Sequence, residues 1–190
     1  MEHTDHSTFQ NPPAGALIWF IIGLELITFI AGIYFFMSYR ISHLQEFKEM
    51  QTHLNLKFAI MNTLFLVTSG YFVAMSVNYL KELNRFKSRK FLLVGILFGV
   101  AFLILKSFEY SEKISQGFTS SYNAFFTFYW FLTFFHFMHV LFVTGILTYL
   151  FFKIKKESEA EVYALEVGGA LWHMCDLIWI LLFPTLFFIR

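Results

Sequence analysis

Six ionisable side chains in this sequence lie within long apolar runs: Glu25, His136, His139, Glu166, His173 and Asp176. Their types suit three chemistries. Imidazoles on two facing helices can ligate haem iron. Carboxylates mixed with imidazoles are the ligand set of di-metal helical bundles, and the same groups carry protons across membranes. His136 and His139 are three residues apart, as are His173 and Asp176, so each pair projects from one face of a helix. Glu166, seven residues before His173, continues that second stripe. Lys106 and Glu109 in "LKSFEYSEK" share the three-residue spacing and read as a local ion pair near a helix end.

Each chemistry meets an obstacle in the surrounding residues. A haem needs room for a flat macrocycle, and Phe134, Phe135, Phe137 and Met138 crowd the histidines of "FFHFMHVLFVTGI". A di-metal bundle sets Glu and His three apart on two helices, a pairing these spacings do not give. A transporter acting alone leads to the expectation of an inverted repeat or helices broken at mid-membrane, whereas Gly168, Gly169 and Pro184 lie near helix ends. A fourth reading leads on physical grounds: buried polar groups pair with one another and fix helix register. The function of such a protein lies in what it binds.

The elements that must position these residues are membrane helices. Of 190 residues, 57% are hydrophobic and 14% charged, a balance too apolar for a soluble domain. A spanning helix takes roughly 20 apolar residues. Five stretches qualify, at about 14–38, 58–80, 91–113, 124–152 and 165–189, and they do not alternate as barrel strands do. The expectation is an all-α polytopic membrane protein, with a polar tail at 1–13 and one five-helix domain at 14–190. On a depth scale centred on each span, Glu25, His136, His139, His173 and Asp176 share the midplane, with Glu166 nearer one boundary. A charge there costs on the order of 3 kcal/mol if left in lipid. Three helices should therefore converge, with Glu166, His173 and Asp176 accepting partners from Glu25, His136 and His139. Gly169 and Ala170 give the stripe a close-packing face, while Trp172, Trp179 and Phe183 fall on another, toward lipid or a partner subunit.

The remaining features are spare. The tail "MEHTDHSTFQNPP" lacks a signal peptide's positive charge, so the first helix is expected to be retained, and His3, Asp5 and His6 read as solvated rather than metal-binding. The one cysteine, Cys175, is mid-helix and has no partner for an intramolecular disulfide. A net charge of +1 gives no reason to expect nucleic acid. Segment 81–90 holds five Lys or Arg and 153–164 holds three, against Arg40, Lys48, Lys57, Lys113 and Arg190 on the other side. The positive-inside bias then places the N-terminus in the cytoplasm and the C-terminus in the periplasm.

The motifs in their order resemble subunit III of the haem-copper oxidases. "WHMCDLIWILLF" after Glu166 is similar to that family's Glu followed by a WHFVDVVWLFL-type segment, and "FFHFMHVLFVTGI" to its GFHGLHVIIGT segment. "LKSFEYSEK", "MNTLFLVTSGYF" and "IIGLELITFIAGIYFF" resemble three further helices, the last carrying the family's intramembrane glutamate at Glu25. The likeness runs from about residue 15 to the end. Longer members have seven helices, and this chain begins where their third would; Phe135 and Phe137 stand where glycines flank the first histidine, and Cys175 replaces a valine. The short form with a Phe-rich fourth helix looks closest to a branch associated with nitric oxide reductases.

The resemblance implies an accessory subunit of a respiratory oxidoreductase complex, with no active site and no cofactor of its own. Haem and copper or iron would belong to the partner, the catalytic subunit I. Membrane phospholipids would surround the chain in a bacterial cytoplasmic membrane. It would support assembly and stability of the complex, with an influence on proton entry. A stand-alone haem- or metal-binding protein and a small proton-coupled transporter are the alternatives.

Overall fold

A computed structural model of the chain describes residues 15–155 and 158–189. All the regular structure among them is helical: α1 (Ala16–Ser42), α2 (Leu44–Gln51), α3 (Leu56–Lys81), α4 (Arg85–Ser115), α5 (Ala124–Lys153) and α6 (Glu159–Phe187). Five of the six are long and apolar enough to cross a membrane, α2 being the exception. The protein is an all-helical, multi-pass membrane bundle. His3, Asp5, His6 and the rest of the polar tail lie outside the described residues.

Local sequence sets the helix ends. Asn55, Asn84, Asn123 and Ser158 each precede a long helix and accept a backbone N–H of its first turn through the side chain. At the far end of α4, Gly117 adopts φ 83°, and the Phe118 N–H reaches back to the Lys113 carbonyl at 3.0 Å, closing the last turn. The α3 to α4 turn makes the same backbone excursion with Leu83 at φ 58°, a conformation a branched side chain resists. The short helix α2, "LQEFKEMQ", is the element a search for apolar runs passes over. It is mostly polar and buries Phe47 alone, against Phe36 and Phe125.

The closest pairing is the α3 and α4 hairpin. Ser69 Oγ donates to the Gly95 carbonyl at 2.7 Å and Ser76 Oγ to the Ser88 carbonyl at 2.9 Å, so small and hydroxyl residues bring the backbones together. α4 also packs on α5, and α6 lies centrally against α1, α3 and α5. α1 stands outermost, packed on α5, α6 and α2, with Ile22, Phe29 and Phe36 as its buried apolar residues.

Central placement changes the expected faces of α6. Trp172 and Trp179 are buried rather than turned to lipid or a partner; the first fills a notch left by Gly99, and the second donates Nε1–H to Thr63 Oγ1 at 2.9 Å. Phe183 is half-buried. A stripe argument assigns one buried face, but a helix enclosed by neighbours has several.

Candidate functional site

The polar residues close in separate pairs at several places in the bundle. Glu25 of α1 meets His139 of α5, with Oε2 to Nε2 at 3.1 Å. His139 Nδ1 lies 2.8 Å from the Phe135 carbonyl, which only accepts, so Nδ1 carries a proton. A neutral ring would then turn a lone pair toward the carboxylate. A hydrogen bond between Nε2 and Oε2 takes a proton on one of those two atoms.

His136 takes a different partner. Its Nε2–H donates to the Cys175 carbonyl of α6 at 3.0 Å, while the ring sits among Phe29, Phe102 and Trp179. Nδ1 is buried with no hydrogen-bond partner among the described residues. His173 and Asp176 bond within α6, Nδ1 to Oδ2 at 3.2 Å, with the imidazole side chain 48% exposed. The Asp176 carboxylate lies so close to Gly70 of α3 that an added Cβ would overlap it. Glu166 pairs with Lys81 at 2.6 Å, tying the ends of α6 and α3.

These contacts redraw the expected network. The α6 stripe does not take its partners from Glu25, His136 and His139: Glu166 uses Lys81, Asp176 uses its own helix, and His136 uses a backbone carbonyl. A shared depth in the membrane brings residues to one level but not to one place around the bundle. Three helices do converge there, since α1, α5 and α6 meet through Glu25, His139 and His136.

Lys106 and Glu109 form the most enclosed pair, both fully buried. Lys106 Nζ lies 3.0 Å from each Glu109 carboxylate oxygen, Tyr129 OH donates to Oε1, and Lys106 Nζ also sits 3.3 Å from that hydroxyl. The ammonium is 5.2 Å from the ring centroids of Tyr110, Tyr129 and Trp179. The pair therefore joins α4, α5 and α6 rather than extending to the membrane surface. Tyr129 escaped the sequence reading, and Trp179 was placed toward lipid or a partner, because an aromatic residue in an apolar run carries no mark of its polar end.

A second polar clasp gathers the helix ends near α2. Gln51 Nε2 donates to the Leu186 carbonyl at 2.7 Å, and Lys113 Nζ to the His53 carbonyl at 2.7 Å and Gln116 Oε1 at 3.1 Å. No group of three or more His, Cys, Asp or Glu able to hold a metal occurs among the described residues.

Fold and site together define a helical membrane protein whose ionisable groups pair with one another, some within a helix and some across helices. The family profile for cytochrome c oxidase subunit III matches residues 14–190. A probable cytochrome c oxidase subunit 3 of Nocardia farcinica is 30% identical, covering 93% of this chain and 87% of its own length. The probable cytochrome c oxidase subunit 3 of Mycobacterium leprae is 29% identical over the same shares. The cytochrome c oxidase subunit 3 of Corynebacterium diphtheriae is 28% identical, with 76% of this chain and 72% of its own length covered. The chain belongs to the cytochrome c oxidase subunit III family.

Proposed function

We propose that this chain is an accessory subunit of a haem-copper oxidase-type complex, packed beside the catalytic subunit I, whose assembly and stability it supports. The observation that carries the reading is the pairing itself: Glu25 with His139, Lys106 with Glu109 and Tyr129, Lys81 with Glu166, and His173 with Asp176. Groups committed to each other hold a scaffold in register. Haem and copper reside in the partner. The names of the relatives favour oxygen over nitric oxide as the terminal acceptor of that complex, and an influence on proton entry would be exerted through the fit of the two subunits.

The unit spans 14–190 as one membrane domain, in a bacterial cytoplasmic membrane, with the 81–90 cations on the cytoplasmic side. Purification of the tagged chain from its native membrane in mild detergent tests the role. The expected result is co-purification with a haem-bearing subunit whose visible spectrum responds to oxygen and whose turnover falls when this chain is removed. Haem or copper bound stoichiometrically to the isolated chain would refute it, and a co-purified enzyme that reduces nitric oxide would reassign the complex.

A further inference from the structure

The polar stripe of α6 borders a recess of about 210 Å³ between α1, α3 and α6. Its walls are made small by Ala74 of α3 and by Gly169 and Ala170 of α6, with Trp19 of α1 as the aromatic member. The polar groups of the lining come from two levels of α6. At one level is His173, its side chain 48% exposed, with Nδ1 held by Asp176 Oδ2 at 3.2 Å; Nε2 has no hydrogen bond to a described residue. At the other, Lys81 Nζ of α3 meets Glu166 at 2.6 Å, with the two side chains 50% and 20% exposed.

Each level offers both a donor and an acceptor. Lys81 donates and Glu166 accepts, while Nε2 of His173 does either, according to where the His173 and Asp176 protons lie. Seven residues of helix part Glu166 from His173, a rise of about 10.5 Å. Hydrocarbon satisfies none of these groups, since it neither donates nor accepts. What answers them is a molecule dissolved in the membrane that carries one polar atom at each end of a short apolar body.

We infer that this recess binds the ring of a lipid-soluble quinone, with one ring oxygen toward His173 and the other toward Lys81 and Glu166. The opposed oxygens of such a ring are roughly 5 Å apart, given C=O bonds of about 1.23 Å. Hydrogen bonds of about 2.8 Å at both ends set their partners about 11 Å apart, close to the rise from Glu166 to His173. A quinone accepts at both oxygens and a quinol donates at both, so ends that each hold a donor and an acceptor serve either form. An apolar cavity of about 150 Å³ takes benzene, and this one has room for a substituted ring, with Trp19 beside it. An acyl chain has no polar atom for either end, and a phosphate would meet the Glu166 carboxylate. No electron transfer is assigned to the site, whose existence needs only the membrane-spanning bundle and not the role in an oxidase complex.

The test is native mass spectrometry of the full chain in detergent, titrated with decylubiquinone, with its quinol, or with decylbenzene, which has the same tail and no oxygens. Quinone and quinol should each saturate at one molecule per chain, and decylbenzene should not be retained. In nitrogen NMR of labelled histidine, the Nε2 signal that His173→Phe removes should shift when the quinone is added. One hydrogen bond in a membrane is worth roughly three- to fivefold in affinity, so His173→Phe and Lys81→Met should each weaken binding by about that factor. Ala170→Leu fills the recess without touching an ionisable group and should abolish binding. If the α6 variants fail to fold, Lys81→Met, at a half-exposed position, still decides the matter. Equal retention of decylbenzene, an unmoved His173 signal, an unchanged affinity in Lys81→Met, or displacement of the quinone by an equal concentration of phosphatidylglycerol would overturn the assignment.

Discussion

Glu109→Gln leaves Lys106 as an ammonium enclosed by Tyr110, Tyr129 and Trp179 with its counter-charge gone. Both partners are fully buried, so water cannot take over the lost contacts without opening the bundle. Removing one member of a buried ion pair costs about 3–5 kcal/mol, because the survivor stays desolvated and unpaired. That is two to nearly four decades in the folded to unfolded ratio at about 1.4 kcal/mol per decade. Replacing both, as Lys106→Met with Glu109→Leu, removes the stranded charge; apolar substitution of a whole buried pair is frequently close to neutral. The remaining penalty is the Tyr129 hydroxyl, left without its acceptor, at about 1–3 kcal/mol. The expected order of stability is therefore native chain, then double variant, then Glu109→Gln. Unfolding by dodecyl sulfate in mixed micelles, followed by tryptophan fluorescence, reads it directly, since Trp179 borders the ammonium. A Glu109→Gln chain as stable as the native one, or a double variant weaker than the single, would show that the pair does not bear on stability as argued.

Three further outcomes rest on particular contacts. Gly70→Ala puts a methyl onto the Asp176 carboxylate and should destabilise the bundle by about 1–3 kcal/mol, while Gly23→Ala, which meets nothing within 4 Å, should not; the same detergent titration compares them. Gly117→Ala should lose about 1 kcal/mol by conformation alone, since its φ is 83° and a Cβ there meets no neighbour, whereas Leu83→Gly at φ 58° should gain about as much. The proton shared by Glu25 and His139 should appear either as a protonated-carboxyl infrared band that Glu25→Gln abolishes or as an imidazolium in nitrogen NMR of labelled histidine. Detecting a carboxylate beside a neutral His139 would contradict the hydrogen-bond geometry.

The sequence made the helices legible because a membrane span announces itself by length and apolarity, and the α-helical period then groups residues three and four apart. That logic reached the adjacency of His173 and Asp176 and of Lys106 and Glu109, both internal to one helix. It could not reach partners on other helices. Which way α6 is turned decides that Asp176 faces Gly70 and that the Cys175 carbonyl, rather than a carboxylate, meets His136. That rotation is set by Trp172 settling into the notch at Gly99 and by Trp179 reaching Thr63, contacts with no trace in hydropathy. α2 was missed for the complementary reason. Its eight residues are polar, and what marks it is one buried phenylalanine and the Gln51 bond to the end of α6.

The placement of α1 shows why a polar pair can matter more than its bond strength. Its buried apolar residues Ile22, Phe29 and Phe36 recur every seven positions, a ridge that a slide of one heptad would largely superimpose on itself. Apolar contact alone therefore ranks two positions of α1, about 10 Å apart, as near equals. Lipid adds little discrimination, because in hydrocarbon a helix exchanges apolar neighbours for apolar neighbours. Glu25 breaks the tie. In the observed position it meets His139 at 3.1 Å, and after the slide it would lie some 10 Å away with no proton to share. A carboxylate stranded in lipid costs on the order of 3 kcal/mol, several times the net worth of a typical interhelical hydrogen bond in a membrane. The pair selects the register by the penalty on every other one.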